Sequence, residues 1–330
     1  MAAIALRSPQ YKYATAGTGA NSAKITISID GTIQYTLVKS ATAGANMLWE
    51  IAELCRDFIN VTYDGSYTAE TLAIISTLTS HASTDGSGTA LTTSTITDVG
   101  YDGYGTFMEG SNPTVPFSNR PRWLFSTNPE SLDVYYIYVP NNTAGVLPYI
   151  AVDASMGYAG YGASQTSISA SSNYGQYLVN IVRVDCTKYG DGHKITFVNK
   201  FGALQDLWFF LKSVNTTTKK QEQFQRVVIN TAGVYSPYVH TKQDYNTVAN
   251  TSITLSSGYY PEWANQWFEQ LLLSEQVWLT RLDPANPNST QYVPVNVKKN
   301  SMVQKTSLND KLIDYTFDFD MSFDYINNIR

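Results

Sequence analysis

Residues Ile313–Tyr325 read IDYTFDFDMSFDY, and this stretch decides the fold. Ile313, Tyr315, Phe317, Phe319, Met321, Phe323 and Tyr325 alternate with Asp314, Thr316, Asp318, Asp320, Ser322 and Asp324. Side chains on a strand point to opposite faces in turn, so period two gathers the large apolar groups on one face. Burying each is worth about 1.5–3 kcal/mol. That face is therefore expected in a core, either its own domain's or a partner's. The Asp face is expected to be wet, opposed by Lys or Arg, or bound to a cation. The run exceeds an ordinary strand in length, so its end is expected to project and pair with another chain.

Working outward, the rest of the chain also reads as mainly β. Lys24–Ile29 and Thr32–Lys39 flank Asp30-Gly31, the turn pair of a hairpin. Leu132–Val139, Tyr177–Asp185, His193–Lys200, Asp206–Lys212, Phe224–Asn230 and Thr251–Leu255 read as strands. Gln276–Leu282 and Tyr292–Lys298 read as a second hairpin. Two helices are predicted. One spans about 46–59, with Asn46 as N-cap and Met47, Leu48, Ile51, Leu54, Cys55, Phe58 and Ile59 at helical spacing. It leads into a short strand, Val61–Tyr63. The other spans about 261–275, with Pro261 in its first turn and Trp263, Trp267, Leu271 and Leu272 facing the core.

Ser80–Asp98 and Asp153–Gly175 are dominated by small residues and read as exposed loops that order against neighbouring subunits. The expected architecture is two β-sandwich-like domains, each with one short packed helix. They cover residues 1–165 and 177–330, with 153–176 as the connection. The strand–helix–strand order of Gln34–Tyr63 recurs in Ser252–Arg281, which would fit a duplication.

Composition restricts the function. Of 330 residues, 22 are Lys or Arg and 27 Asp or Glu, a net charge of -5. That balance argues against a nucleic-acid binder. Tyr alone, at 24, outnumbers Lys and Arg together. Tyr surfaces suit contact with proteins or sugars, since Tyr supplies area and a hydroxyl at low entropy cost. No apolar run is long enough for a membrane span, and no signal peptide is expected in Met1–Arg7. The two cysteines, Cys55 and Cys186, are expected as free, buried thiols of a chain that folds in a reducing cytosol.

The sequence shows no coherent chemical centre. His81, His193 and His240 lie in unrelated segments, with no metal-ligand spacing. No Gly-x-Ser-x-Gly elbow occurs. Cys186 and His193 flank Gly190-Asp-Gly192, an ordinary hairpin arrangement. No catalytic residue, cofactor or metal is therefore expected. Asp314, Asp318, Asp320 and Asp324 are the strongest charge pattern. Alternate carboxylates about 6.6–7 Å apart could share Ca²⁺ or form a glycosidase pair, but they also suit a solvated or aggregation-resistant face.

His193–Ser213 (HKITFVNKFGALQDLWFFLKS), Ser256–Leu279 (SSGYYPEWANQWFEQLLLSEQVWL) and Lys305–Ile329 (KTSLNDKLIDYTFDFDMSFDYINNI) carry a resemblance. They resemble virion structural proteins of tailed bacteriophages, of the tail, neck, baseplate or fibre-attachment type. Ile51–Gly65 (IAELCRDFINVTYDG) and the N-terminal hairpin fit the same pattern. The resemblance implies a structural or adaptor role in the virion, assembled in the host cytoplasm. It also implies partners among copies of the chain and other virion proteins. Tyr158, Tyr161, Tyr174, Phe319, Phe323 and Tyr325 are the expected assembly contacts. A carbohydrate- or receptor-binding module touching host-surface glycan is the alternative, and a polysaccharide-degrading enzyme a third reading.

Overall fold

The computed structural model describes residues 2–65, 71–114, 135–138, 149–152, 164–169, 176–181, 193–202, 204–209, 211–282, 290–299, 301–304, 306 and 312–325. The fold is mainly β, with sheets in sandwich-like arrangements and, among the described residues, two short α-helices.

In the first half the strands are β1 (Ala2–Ala5), β2 (Tyr11–Thr15), β3 (Ser22–Ile29), β4 (Thr32–Ser40), β5 (Asn46–Glu50), β6 (Leu72–His81) and β7 (Ala90–Tyr101). A five-stranded sheet has the order β1-β7-β6-β3-β4. Asp30 and Gly31 hold φ of 48° and 83° between β3 and β4, the positive values that the Asp-Gly turn requires. β2 and β5 form a separate antiparallel pair. Helix α1 (Ala52–Arg56) follows β5. Met47, Ile51 and Cys55 pack with Ile25, Ile27, Ile74 and Leu78 of the sheet in one buried cluster.

The strands β8 (Tyr135–Tyr138) and β9 (Tyr149–Val152) form one pair, and β10 (Ser164–Ser169) and β11 (Gln176–Ile181) another. The remainder comprises β12 (His193–Val198), β13 (Leu204–Phe209), β14 (Ser213–Gln225), β15 (Lys242–Ser256), β16 (Tyr260–Pro261), α2 (Asn265–Leu272), β17 (Val277–Leu282), β18 (Thr290–Val297), β19 (Leu312–Ile313) and β20 (Thr316–Met321). A seven-stranded sheet has the order β13-β12-β17-β18-β20-β15-β14. Phe268 and Leu271 of α2 lie over it, in one buried cluster with Phe209, Phe317 and Phe319.

The halves meet in several places. Val61 and Tyr63 are buried with Val198, Leu204 and Trp278. Arg7 donates to Leu273 O at 2.7 Å, and Glu275 pairs with both Arg7 and Arg56. Gly103 lies so close that a Cβ there would stand 2.6 Å from Lys200 O.

Several expectations are corrected. The helix expected over 46–59 is a strand followed by the five-residue α1. Asn46 pairs with Thr15 and does not cap a helix. Apolar spacing mimicked a helix, but β2 supplied a ladder partner. Val61 and Tyr63 are buried, yet 61–63 is not a strand, so the first copy of the strand–helix–strand echo lacks its closing strand. Most of Ser80–Asp98 is not a loop. It forms the end of β6 and much of β7, where Thr92, Thr93, Thr95 and Thr97 favour extended backbone through branching at Cβ. The stretch 153–176 carries β10, paired with β11 from Ser164↔Ile181 to Ser169↔Gln176. Between these strands, residues 170–175 lie outside the described residues. Phe224–Asn230 is not a strand beyond Gln225. Cys186 and Gly190-Asp-Gly192 lie outside the described residues.

The decisive strand is also shorter than its period. Ile313, Tyr315, Phe317, Phe319 and Met321 are buried as expected. The strand is interrupted at 314–315, and the ladder ends at Met321. Phe323 and Tyr325 are 47% and 71% exposed.

Candidate assembly surface

The β14–β15 ribbon is a long exposed surface that packing does not account for. β15 pairs with β20 only through Ser252–Ser256, while it pairs with β14 from Leu255 down to Lys242. The ribbon therefore extends beyond the last ladder contact with β20. β14 is thirteen residues long and exposed throughout. Its Thr216, Thr217 and Thr218 favour extended backbone through branching at Cβ, and ladder bonds to β15 hold it there. The register shifts between Lys220 and Glu222. Opposite lies Asn246 with φ 49°, so a bulge sits in mid-ribbon.

The outer ribbon has its own side-chain fastenings. Asp244 accepts from Gln223 Nε2 at 2.7 Å and Lys219 Nζ at 3.2 Å. Those hydrogen bonds hold its carboxyl below the usual range. The Phe224 and Tyr245 rings meet edge to face at 5.7 Å. At the tip, Ile229 bridges to Tyr235. Asn230 Oδ1 accepts from the N–H groups of Ala232 and Val234, each at 3.0 Å. Gly233 turns the chain with φ 75°.

This ordered tip presents apolar groups to water. Val227 is 85% exposed and Tyr238 93%, with Ile229, Val234 and Tyr235 also exposed beside them. A two-stranded ribbon is at best marginally stable in water, and an exposed apolar cluster marks a contact surface. The ribbon from Ser213 to Ser256 carries Lys219, Lys220, Arg226 and Lys242 against Glu222 and Asp244, a net +2 in a chain of net -5. It therefore has the sign to approach acidic protein surfaces, including the rest of its own chain.

The expected contacts fare differently. Phe319 is 0% exposed, its ring 6.1 Å from that of Phe317 and 5.9 Å from that of Phe209. It is a core residue of its own half and is corrected as an assembly contact. Phe323 and Tyr325 are exposed, and Tyr325 N donates to Ala249 O at 2.7 Å. Tyr325 thus lies beside Ala249 at the base of the ribbon. Tyr158, Tyr161 and Tyr174 lie outside the described residues. Sequence reasoning missed the ribbon itself. Its usable signals were the Thr216–Thr218 run and the turn residues Asn230 and Gly233.

Two carboxylates of the row, Asp318 and Asp320, meet partners across strands. Asp318 Oδ1 accepts from Thr254 Oγ1 at 2.5 Å, and Asp320 lies 3.5 Å from Lys298 Nζ. Among the described residues no group of three or more His, Cys, Asp or Glu is arranged to hold a metal ion. The histidines are dispersed. His81 is buried beside Thr79, burial lowers the His193 pKa, and His240 is exposed on the ribbon. No helix among the described residues is long and apolar enough to cross a membrane.

Comparison with known proteins gives no match to a family model, to a curated protein or to a solved structure.

Proposed function

We propose that the chain is a structural or adaptor component of a tailed-phage virion that works through protein–protein contacts in a symmetric assembly. The observation that carries the contact role is the β14–β15 ribbon, ordered by its own bonds yet tipped with exposed Val227, Ile229, Tyr235 and Tyr238. The virion assignment is supported by the sequence resemblance of His193–Ser213, Ser256–Leu279 and Lys305–Ile329. In this reading the role is not catalytic, the partners are further copies and other virion proteins, and the location is the particle.

The test starts from the ladder. Thr218 faces Asn250, so replacing residues 219–249 by Asn-Gly closes a short hairpin at that point. The variant is expected to fold as a monomer and to be lost from purified particles. Normal incorporation of this variant would defeat the contact role. Absence of the natural chain from purified, antibody-labelled particles would defeat the virion assignment.

One observation favours a glycan-binding reading. Tyr11, Tyr13 and Leu48 are exposed on the β2–β5 pair, with Tyr13 directly opposite Leu48. Flat aromatic faces suit sugar rings. Loss of cell or glycan binding in a Tyr11→Ala, Tyr13→Ala variant that still enters particles would establish that role.

A further inference from the structure

The first half holds a Lys–Asp pair in an unusual place. Lys12 Nζ stands 2.6 Å from Asp98 Oδ2, with side-chain exposures of 10% and 2%. Lys12 belongs to the β2–β5 layer and Asp98 to the five-stranded sheet. The pair therefore spans two layers that share no backbone ladder.

Its surroundings are mainly apolar, with the Ser76 hydroxyl buried on the same sheet face as Asp98. Trp49 pairs with Lys12 across the β2–β5 ladder, and Ala14 lies two residues along on the same face. Ile74 pairs with Asp98, and Ile96 lies two residues before it on the same strand face. All four pack against the buried cluster of this half or belong to it. The contact is close without the alignment of a hydrogen bond. Asp98 Oδ2 is buried and has no hydrogen-bond donor among the described residues.

The buried thiol of Cys55 lies near both groups. Burial, with Glu50 and Asp98 adding and Lys12 opposing, pushes the nearby Cys55 thiol up to about 12. Two charges in such a layer carry a desolvation penalty that their attraction repays only with good geometry and further hydrogen bonds.

We propose that Lys12 and Asp98 are the site of a self-formed isopeptide bond that ties β2 to β7. The step is a condensation. A proton passes from Nζ to the carboxyl group, leaving a neutral amine and a neutral acid. The Nζ lone pair attacks Cγ, and an Nζ–Cγ bond forms. The Cγ–O bond breaks, and the departing oxygen takes the further proton lost by nitrogen. The products are a secondary amide and one water. Nothing is oxidised or reduced, and no co-reactant enters.

Two physical effects favour it. Groups held at contact distance react with effective molarities of about 10⁵–10⁸ M in well-oriented cases. The product exchanges a desolvated ion pair for a neutral amide, and it leaves the layer without that buried pair of charges. The bond would close the chain from residue 12 to residue 98 and enclose β3, β4, β5, α1 and β6 in one covalent loop. This inference does not depend on the virion assignment.

Intact-mass spectrometry of the full chain, held folded and then denatured, tests it. The natural chain is expected to be lighter than its sequence by the mass of one water. A tryptic digest should contain a branched peptide joining the segment of Lys12 to that of Asp98. Lys12→Arg keeps the cation but cannot form the bond, and should show the full mass of its own sequence. A natural chain at full sequence mass would overturn the proposal. So would a Lys12→Arg chain that is also one water light, with no branched peptide in the natural chain, because Asp30-Gly31, Asp64-Gly65, Asp85-Gly86, Asp102-Gly103 and Asp191-Gly192 can each lose water as a cyclic imide. The branched peptide is read on the natural chain, so the test survives a variant that does not fold.

Discussion

β20 and β14 flank the same strand, β15, in the same sheet, and they are held in opposite ways. β20 alternates Phe317, Phe319 and Met321 inward with Thr316, Asp318 and Asp320 outward. Its inner face touches Phe209 and Phe268. β14 is more than twice as long and buries none of its residues. The first strand is fixed by desolvation of large side chains, the second by backbone bonds and a few polar fastenings. β15 thus supports a core strand on one edge and a projecting ribbon on the other. What separates the two is side-chain content, not hydrogen bonding.

The contrast can be broken most directly at Phe319. Phe319→Asp places an unpaired charge among aromatic rings, and is expected to cost more than about 4 kcal/mol. Denaturant unfolding should find little or no folded protein. A cooperative transition near that of the natural chain would remove β20 from the core. The reverse experiment is at the ribbon tip. Val227→Ser with Tyr238→Ser should change stability by no more than about 0.5 kcal/mol, as exposed sites do, while particle incorporation falls sharply. Large destabilisation there would mean that the ribbon serves its own fold. On the outer face of β20, Asp318→Asn keeps an acceptor for Thr254 and is expected to shift the unfolding midpoint within the same small range. Added Ca²⁺ should raise the melting temperature of neither form.

The smallest effect belongs to the junction, which neither strand controls. Asp102 is buried there, and burial raises its pKa, with Arg7 and Arg56 opposing and Glu275 adding. An acid with a raised folded pKa contributes stability below its unfolded value of about 3.9, and loses it as pH rises through the folded value. Asp102→Asn should therefore melt higher than the natural chain at neutral pH, with a difference that shrinks toward pH 4. A difference independent of pH would show that the carboxyl does not titrate against the fold.

The same contrast explains what was legible in the sequence. β20, the β3–β4 hairpin and the β17–β18 hairpin stand out because apolar alternation or an Asp-Gly turn writes the packing into the residue order. α2 was legible in part: it runs Asn265–Leu272, Pro261 pairs with Leu312 in β16 instead of opening the helix, and Phe268, fully buried at its centre, is the residue that anchors it. The Thr/Ser strand β7 and the ribbon have no apolar alternation. Ladder partners distant in sequence stabilise them, and a single stretch does not reveal these. α1 failed for the opposite reason. Met47, Leu48 and Ile51 satisfy helical spacing, but Met47 is used in a strand face and Leu48 points to water. The ribbon surface combines exposed side chains and projection beyond a neighbour, and both are properties of the fold.

The ribbon is also a ruler. Thr216 pairs with Ser252, the last residue of β15 laddered to β20. From Thr217 to Gln225 the ribbon spans roughly 30 Å at the usual strand rise. Any lattice joined through its tip inherits that length as a spacing. Adding two residues to each strand would lengthen the spacing and keep every side chain on its face. Adding one would turn the outer faces over, because strand parity has period two. Lattice dimensions built on such an arm can therefore change only in even steps, unless a bulge such as the one opposite Asn246 absorbs the odd residue.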